Sequence, residues 1–312
     1  MVKRKIENSE FDELKVNMEG DYLTSFLLEN KTLRAVLCNG SLMINEMRAN
    51  HQLQIAETLI LGHNYIAASL LSANLKDEDI LRIKVNCSGP LGGLNVEADF
   101  NHNVRGYLYN NPIRVIEPGS MSMSDFFGTG VLSITRTNRL TNRPFTGQTT
   151  IQYGKTASDL AYYFTVSEQL ATSFNLDVSF SDSGNVKGAG GLLIQALPGA
   201  EELVIEKAEK IVSQLPSIGK WFSMGKGAEE FIHTYFSQMQ PEILSREKTA
   251  FFCNCSKEQI RVHITALSED DKKDIISKNE FPIQTLCHNC GTSYIYSREE
   301  SMELLDKHQK LQ

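Results

Sequence analysis

The chain has 312 residues, of which 41% are apolar and 22% are charged, and its formal net charge is −7 at pH 7. This length allows about two domains, and the composition is typical of a soluble globular protein. A net negative charge excludes broad electrostatic attraction to nucleic acids or anionic membranes. The first residues contain no apolar segment of the kind that directs secretion. We therefore expect a cytoplasmic protein whose cysteines are kept reduced.

Residues 1–198 are expected to form one domain that mixes helices with β-sheets. Residues 21–29 carry apolar side chains at helical spacing and are predicted as a helix, whereas residues 33–38 read as a strand. A long helix is predicted over residues 54–74, because it has an apolar stripe on one side and small residues such as Gly62 on another. The stripe consists of Ile55, Leu59, Ile66 and Leu70.

Alternating apolar and polar residues from Leu81 to Cys87 predict a strand with one buried face. Cys87 and Cys38 both fall in strand patterns, and we interpret them as structural thiols. A helix is predicted over residues 157–169, and His63 is interpreted as a partly buried histidine that binds no metal. Further strands are predicted at residues 104–109, 130–135, 149–153, 174–180 and 188–198.

Residues 199–246 are predicted to be a helical linker. Residues 200–215 and 228–239 have large apolar faces, and Trp221 and Phe222 lie between them. These helices have too little mass for a domain of their own, so they must lie on the domain before them, on the module after them, or on a partner. Ordinary interdomain helices and an apolar face that stays covered until it is needed both remain open.

Residues 247–312 contain four of the six cysteines, arranged as a C-x-C pair and a C-x-x-C pair that are 31 residues apart. They are Cys253, Cys255, Cys287 and Cys290. Two short chelating loops can supply the four corners of a tetrahedral zinc site, and Gly291 permits a tight turn beside a ligand. We predict one Zn²⁺ per chain, whose binding supplies folding energy to a segment too small for a large core.

Other interpretations of the four cysteines are a disulfide scaffold, a thioredoxin-like dithiol and unrelated buried thiols. The lack of a secretion signal argues against the first interpretation. The strand predicted after Cys290 argues against the second, which requires a helix there. His263 and His288 lie near the pairs but are expected to be bystanders, since four cysteines already complete the site.

Most of the sequence resembles the redox-regulated heat-shock protein 33 chaperones. The two cysteine pairs at this separation are the most specific point of resemblance, and the linker and residues 110–149 depart most from the family pattern. The segments that carry the resemblance are residues 28–30, Arg34, residues 68–76, 89–91, 105–106, 167–169, 189–195, 252–256, 287–290 and Tyr294.

The resemblance implies a cytoplasmic, ATP-independent holding chaperone that is not an enzyme. It implies an α+β protein with a client-binding and dimerisation domain (1–198), a helical redox-sensitive linker (199–246) and a zinc-binding redox-switch domain (247–312). Zinc would keep the reduced form inactive. Oxidation would form Cys253–Cys255 and Cys287–Cys290 disulfides, release zinc, unfold the linker and expose a surface for unfolded client proteins. The oxidised form would be a homodimer, and the reduced form a monomer.

Two other functions compete with this expectation. A structural zinc ribbon could bind a fixed partner, although residues 247–312 contain 9 Lys or Arg against 11 Asp or Glu and so form no basic surface. A thiol-disulfide oxidoreductase acting through Cys287 and Cys290 would turn over small disulfides and would not need the C-x-C pair.

Overall fold

The computed structural model describes residues 1–17, 20–76, 78–114 and 122–306. Its chain divides into two compact units. We call Arg4–Phe251 the core unit, and Met1–Lys3 together with the chain from Phe252 onward the cysteine unit. The last residues of the predicted zinc domain, 307–312, lie outside the described residues. Helices, strands and two sheets in the core unit confirm the α+β fold class.

The core unit contains the following elements. Its helices are α1 (Ser9–Asn17), α2 (Ser41–His51), α3 (Ile55–Ser72), α4 (Thr156–Tyr163), α5 (Glu202–Ser213), α6 (Ile218–Ser223) and α7 (Ala228–Phe236). Its strands are β1 (Tyr22–Leu28), β2 (Leu33–Asn39), β3 (Asp79–Cys87), β4 (Gly93–Asp99), β5 (Asn103–Leu108), β6 (Gly130–Asn138), β7 (Arg143–Thr150), β8 (Thr172–Phe180), β9 (Val186–Ala196), β10 (Glu242–Lys248) and β11 (Ala250–Phe251).

Within the described residues, these strands form a five-stranded sheet, in the order β10-β1-β2-β9-β8, and a six-stranded sheet, in the order β11-β5-β4-β3-β6-β7. Helix α3 packs against β8 and β9 of the first sheet and against β3, β4 and β5 of the second. A helix between two sheets must be apolar on most sides, and α3 is buried over nearly its whole length. A Cβ on Gly62 would lie 3.2 Å from Val178, which confirms the predicted close packing.

The other face of the five-stranded sheet is covered by α5, α6 and α7. Successive residues of a strand point to opposite faces: a Cβ on Gly191 of β9 would meet Ile66 of α3, whereas one on Gly190 would meet Phe222 of α6. The linker helices therefore pack on the domain that precedes them in the chain. The buried cluster that they form with the sheet contains Phe26, Leu28, Leu37, Leu192, Ile194, Trp221, Phe222, Phe231, Ile232 and Phe236.

The predicted helix over residues 21–29 is wrong, because this segment forms β1. Its apolar residues fit a helix and a doubly buried strand equally well, and a short apolar run cannot separate the two. The backbone is fixed by antiparallel pairing with β2 on one side and β10 on the other. The helix predicted to reach residue 169 ends at Tyr163, where a π-helical turn, Phe164–Glu168, follows.

The strand predicted at residues 149–153 is β7, which begins and ends earlier than expected. The other predicted strands and the long helix are confirmed, with bounds shifted by a few residues. None of the helices within the described ranges is long and apolar enough to cross a membrane.

The cysteine unit is small and has few regular elements. Its helices are α8 (Lys257–Thr265), α9 (Glu269–Ser277) and α10 (Arg298–Asp306), and its strands are β12 (Ile283–Leu286) and β13 (Ser293–Tyr296). Strands β12 and β13 pair as an antiparallel hairpin. The N-cap residues of α8 and α9 are Ser256 and Ser268, whose side chains accept hydrogen bonds from backbone nitrogens in the first turn.

Candidate metal centre

Two short loops hold the four cysteines. Cys253 and Cys255 lie between β11 and the start of α8, and Cys287 and Cys290 lie in the turn between β12 and β13. That turn is closed by hydrogen bonds from the Cys290 and Gly291 nitrogens to the Cys287 carbonyl oxygen, at 3.2 and 2.8 Å. Gly291 has φ +66°, as its place beside a ligand predicted.

The four sulfur atoms all lie within 4.8 Å of one another. The Sγ atoms of Cys253 and Cys287 are 3.9 Å apart, and those of Cys255 and Cys290 are 3.4 Å apart. A tetrahedron with Zn–S bonds of about 2.3 Å has edges of about 3.8 Å. All four cysteines are free thiols and are between 0% and 9% exposed. This donor set therefore fits a four-thiolate zinc ion in both chemistry and size.

Contact between the thiols opposes their ionisation. The contact with Cys253 raises the pKa of Cys287 far above its usual range, with further contributions from Cys290 and burial. The same contact, together with burial, raises the pKa of Cys290 to about 11. Four thiolates can coexist at this spacing only when a cation balances their charge. The geometry thus favours a bound metal over a cluster of free thiolates.

Two hydroxyl groups complete the polar surroundings of the sulfurs. The Tyr294 hydroxyl lies 3.1 Å from Cys255 Sγ and donates to the Cys255 carbonyl oxygen at 3.0 Å. Thr292 Oγ1 lies 3.2 Å from Cys290 Sγ. Hydrogen bonds of this kind orient metal ligands and tune their reactivity. Burial, followed by contact with Cys255, raises the pKa of Tyr294, so its hydroxyl stays protonated and able to donate.

The four cysteines singled out from the sequence are brought together, and both histidines near them are exposed and outside the cluster. Sequence reasoning missed the role of Thr292. Tyr294 was identified only as part of the family resemblance. A threonine two residues after a C-x-x-C pair gives no signal by itself, because its contact with Cys290 depends on the turn geometry.

The remaining two cysteines lie in the core unit. Cys38 is fully buried in β2, where burial raises its pKa, and its Sγ lies 3.8 Å from Ser69 Oγ. Cys87 is half-buried at the end of β3, and burial raises its pKa as well. Both groups therefore stay as thiols near neutral pH, in agreement with their interpretation as structural residues.

Comparison with known proteins gives one consistent result. The model of the family described as "Hsp33 protein" matches residues 21–297. The chain is 34% identical to a 33 kDa chaperonin from Lachnoclostridium phytofermentans over 290 residues, which cover 92% of this chain and 99% of the relative. It is 32% identical to a 33 kDa chaperonin from Bacillus pumilus, with the same coverage.

A solved structure gives the same result for the fold. The crystal structure of the 33 kDa chaperonin (heat shock protein 33 homolog) from Thermotoga maritima superposes with a TM-score of 0.83 and 26% sequence identity. The superposition covers 94% of this chain and 99% of that one.

Proposed function

The chain belongs to the Hsp33 family of chaperones, and on that premise we propose that it is an ATP-independent holding chaperone switched on by oxidation. Cys253, Cys255, Cys287 and Cys290 are the proposed ligands of one Zn²⁺ in the reduced, inactive form. The observation that carries the proposal is the cluster of four buried thiols within 4.8 Å. When bound, zinc supplies the positive charge that keeps four thiolates together, and this cross-link supplies folding energy.

The proposed switch is a two-electron oxidation of each cysteine pair. Two thiolates give two electrons to hydrogen peroxide, the O–O bond breaks as an S–S bond forms, and two protons are taken up to give two waters. Two peroxides therefore convert the four thiolates into the proposed Cys253–Cys255 and Cys287–Cys290 disulfides. The chain then has no thiolates left to hold the metal, and the cysteine unit loses its main cross-link.

The proposed client surface is the face of the five-stranded sheet beneath α5, α6 and α7. Residues of that face, such as Phe26, Leu28 and Leu192, are fully buried by the linker helices. Strands β10 and β11 follow these helices in the chain, and β11 ends two residues before Cys253. Loss of order at the cysteines would therefore pass along the chain to edge strand β10 and then to the helices. The uncovered apolar face suits binding of unfolded proteins.

We assign one proposed role to each of the three segments of the chain. Residues 1–198 bind clients and dimerise, residues 199–246 form the redox-sensitive linker, and residues 247–312 form the switch. We propose a cytoplasmic protein that is a monomer when reduced and a homodimer when oxidised. We infer a non-enzymatic role, because the relatives that the chain matches are chaperones.

The test measures zinc content, Trp221 fluorescence and suppression of client aggregation on one sample before and after peroxide treatment. Trp221 is the only tryptophan and is buried in the linker cluster, so its emission reports the state of that cluster directly. We expect about one zinc per chain, lost together with a red shift of Trp221 emission and a gain of holding activity, all reversed by reductant.

Three outcomes would overturn this proposal in different ways. Zinc that survives peroxide points to a structural ribbon. Zinc loss without a Trp221 shift means that the linker does not respond to the cysteines. Turnover of small disulfides by a variant lacking Cys253 and Cys255 points to an oxidoreductase. Peptide mapping of the oxidised protein identifies which cysteines pair, and Cys87→Ser serves as a control that should behave as the wild type.

A further inference from the structure

The first three residues belong to the cysteine unit, although they are far from it in sequence. Met1–Lys3 group with the chain from Phe252 onward, whereas the chain from Arg4 belongs to the core unit. The family match begins only at residue 21. The segment therefore lies outside the matched range.

Three hydrogen bonds tie this segment to the residues around the sulfurs. The backbone nitrogen of Met1 donates to the carbonyl oxygen of Cys255 at 2.7 Å. The Val2 nitrogen donates to Thr292 Oγ1 at 3.2 Å, and Thr292 Oγ1 also lies 3.2 Å from the Val2 carbonyl oxygen. Thr292 is the residue whose hydroxyl contacts Cys290 Sγ. Met1 thus contacts Cys255 of the first pair directly, and Val2 contacts Cys290 of the second pair through the Thr292 hydroxyl.

The donor and acceptor roles change when Cys290 is a thiolate. Thr292 has a single hydroxyl proton, and a thiolate is a charged acceptor that competes well for it. The Val2 nitrogen then donates to Thr292 Oγ1 while Thr292 donates to Cys290 Sγ. Such a chain of donors is mutually reinforcing, because each hydrogen bond polarises the next. The hydroxyl hydrogen of Thr292 then stabilises the negative charge on the Cys290 sulfur and so reduces the reactivity of this sulfur toward oxidants.

The residues that follow the segment in the chain are ordered by contacts within the core unit. The Arg4 nitrogen donates to Asn50 Oδ1 at 2.9 Å. Helix α1 buries Phe11 and Leu14, and Glu10 accepts hydrogen bonds from Ser181 and Asn185. Because the chain is ordered from Arg4 onward, ordering Met1–Lys3 restricts only three further residues.

We propose that Met1–Lys3 is a strap that completes the hydrogen-bonded shell of the thiolate cluster and slows its oxidation. The strap sets how much oxidant is needed to open the switch. This inference rests on the proposed function, since it assumes that the metal-bound thiolates are what peroxide attacks. Thr292 acts as a positioning residue that passes the effect of the strap to Cys290.

The test compares rates of zinc release from full-length, zinc-loaded protein under a fixed peroxide concentration, followed with a chromogenic chelator. Val2→Pro removes the nitrogen donor, and Thr292→Val removes the hydroxyl but keeps the branched shape. Thr285→Val is the matched control, because its hydroxyl contacts the Tyr294 carbonyl oxygen and none of the sulfurs. Intact-mass measurement verifies the residue at the start of each variant, and each must hold one zinc before oxidation.

We expect Val2→Pro and Thr292→Val to release zinc about five- to tenfold faster, as loss of one hydrogen bond of ordinary strength implies, and the control to match the wild type. The double variant should be no faster than the faster single variant, because both changes break one shared contact. Wild-type rates in Val2→Pro would overturn the strap. If peroxide releases no zinc from the wild type, the proposed function fails, whatever the variants do.

If Thr292→Val does not retain zinc, Val2→Pro alone still decides the question, since it alters no residue of the cysteine turn. A passive release rate measured without peroxide separates the two effects of the strap. Faster release only with peroxide means that the strap shields the sulfurs, as proposed. Equal acceleration with and without peroxide means that it only stabilises the folded unit, which would overturn the proposed effect on oxidation.

Discussion

The two units differ in where their stability comes from. The core unit distributes it over a continuous apolar interior on both faces of the five-stranded sheet, with Phe26, Ile66 and Phe222 fully buried. The cysteine unit buries few large side chains apart from its sulfurs and leaves Phe252, Val262 and Ile295 exposed. A single substitution removes only a fraction of the stability of a distributed core. By contrast, the loss of one cysteine ligand would break a single metal cross-link completely. This contrast agrees with the proposed function, in which the core unit is the scaffold and the cysteine unit is the switch.

The largest effect is expected from breaking the proposed metal site. Cys290→Ser, or removal of metal with a strong chelator, should unfold the cysteine unit, because structural zinc supplies roughly 10–16 kcal/mol in such sites. Hydrogen–deuterium exchange should show loss of protection over residues 253–306 and retained protection in α3. Cys87→Ser, outside the cluster, is the control. Unchanged exchange over β12 and β13 would contradict the contrast between the units.

A smaller effect is expected from a substitution that creates a cavity beneath the linker helices. Phe231 is fully buried against Trp221, with ring centroids 5.3 Å apart. Phe231→Ala should destabilise this cluster by about 3–5 kcal/mol and shift Trp221 emission to the red without oxidation. Leu203→Ala, on a residue that is 74% exposed on α5, should change neither. A Phe231→Ala protein with wild-type emission would contradict the packing of the linker helices over the five-stranded sheet.

The core unit should lose only part of its stability when a charged network is broken. Glu97 is buried and accepts from Arg82 Nε at 2.8 Å and from Arg105 Nε at 3.0 Å. Burial acts to raise the pKa of Glu97, but Arg105 and Arg82 outweigh it and hold the pKa below its usual value. Glu97→Gln should cost about 1–3 kcal/mol in urea unfolding, less than a fully buried pair because both arginines reach solvent.

The network's contribution to stability should also depend on pH. A carboxyl whose folded pKa is lowered stabilises the protein above its unfolded pKa, and that stability is lost as the pH falls through the folded value. The difference between wild type and Glu97→Gln should therefore shrink on acidification below about pH 4.5. Glu206→Gln, at an exposed position of α5, is the control. A constant difference across that range would argue against ionic stabilisation.

The smallest effect is expected at His63 of α3. Burial lowers the pKa of His63 to about 4, with Asp177 opposing the shift weakly. Between pH 6.5 and 4 the unfolded chain binds this proton more tightly, so stability falls as the pH drops through that window. Lowering the pH from 7 to 5 should cost about 1–2 kcal/mol at this group, after allowance for its partial exposure. His63→Gln should flatten the slope in urea titrations, and an unchanged slope would place the acid sensitivity elsewhere.

Local patterns in the sequence determined the features that depend on neighbouring residues alone. The spacing of Cys253, Cys255, Cys287 and Cys290 identified the cluster, because short chelating loops restrict their ligands to one site. The length and composition of α3 identified a buried helix. The alternation in β3 identified a strand, since each strand face must match its surroundings over several residues.

Only the tertiary structure decided features that depend on residues distant in the chain. Tyr22–Leu28 is a strand because β2 and β10 pair with both of its edges, and β10 lies more than 200 residues away. The linker helices have apolar faces by sequence, but the surface that they cover is set by the packing of Phe222 over Gly190. The contact of Val2 with Thr292 joins residues 290 positions apart. No local pattern encodes such contacts, because they form only when the whole chain has folded.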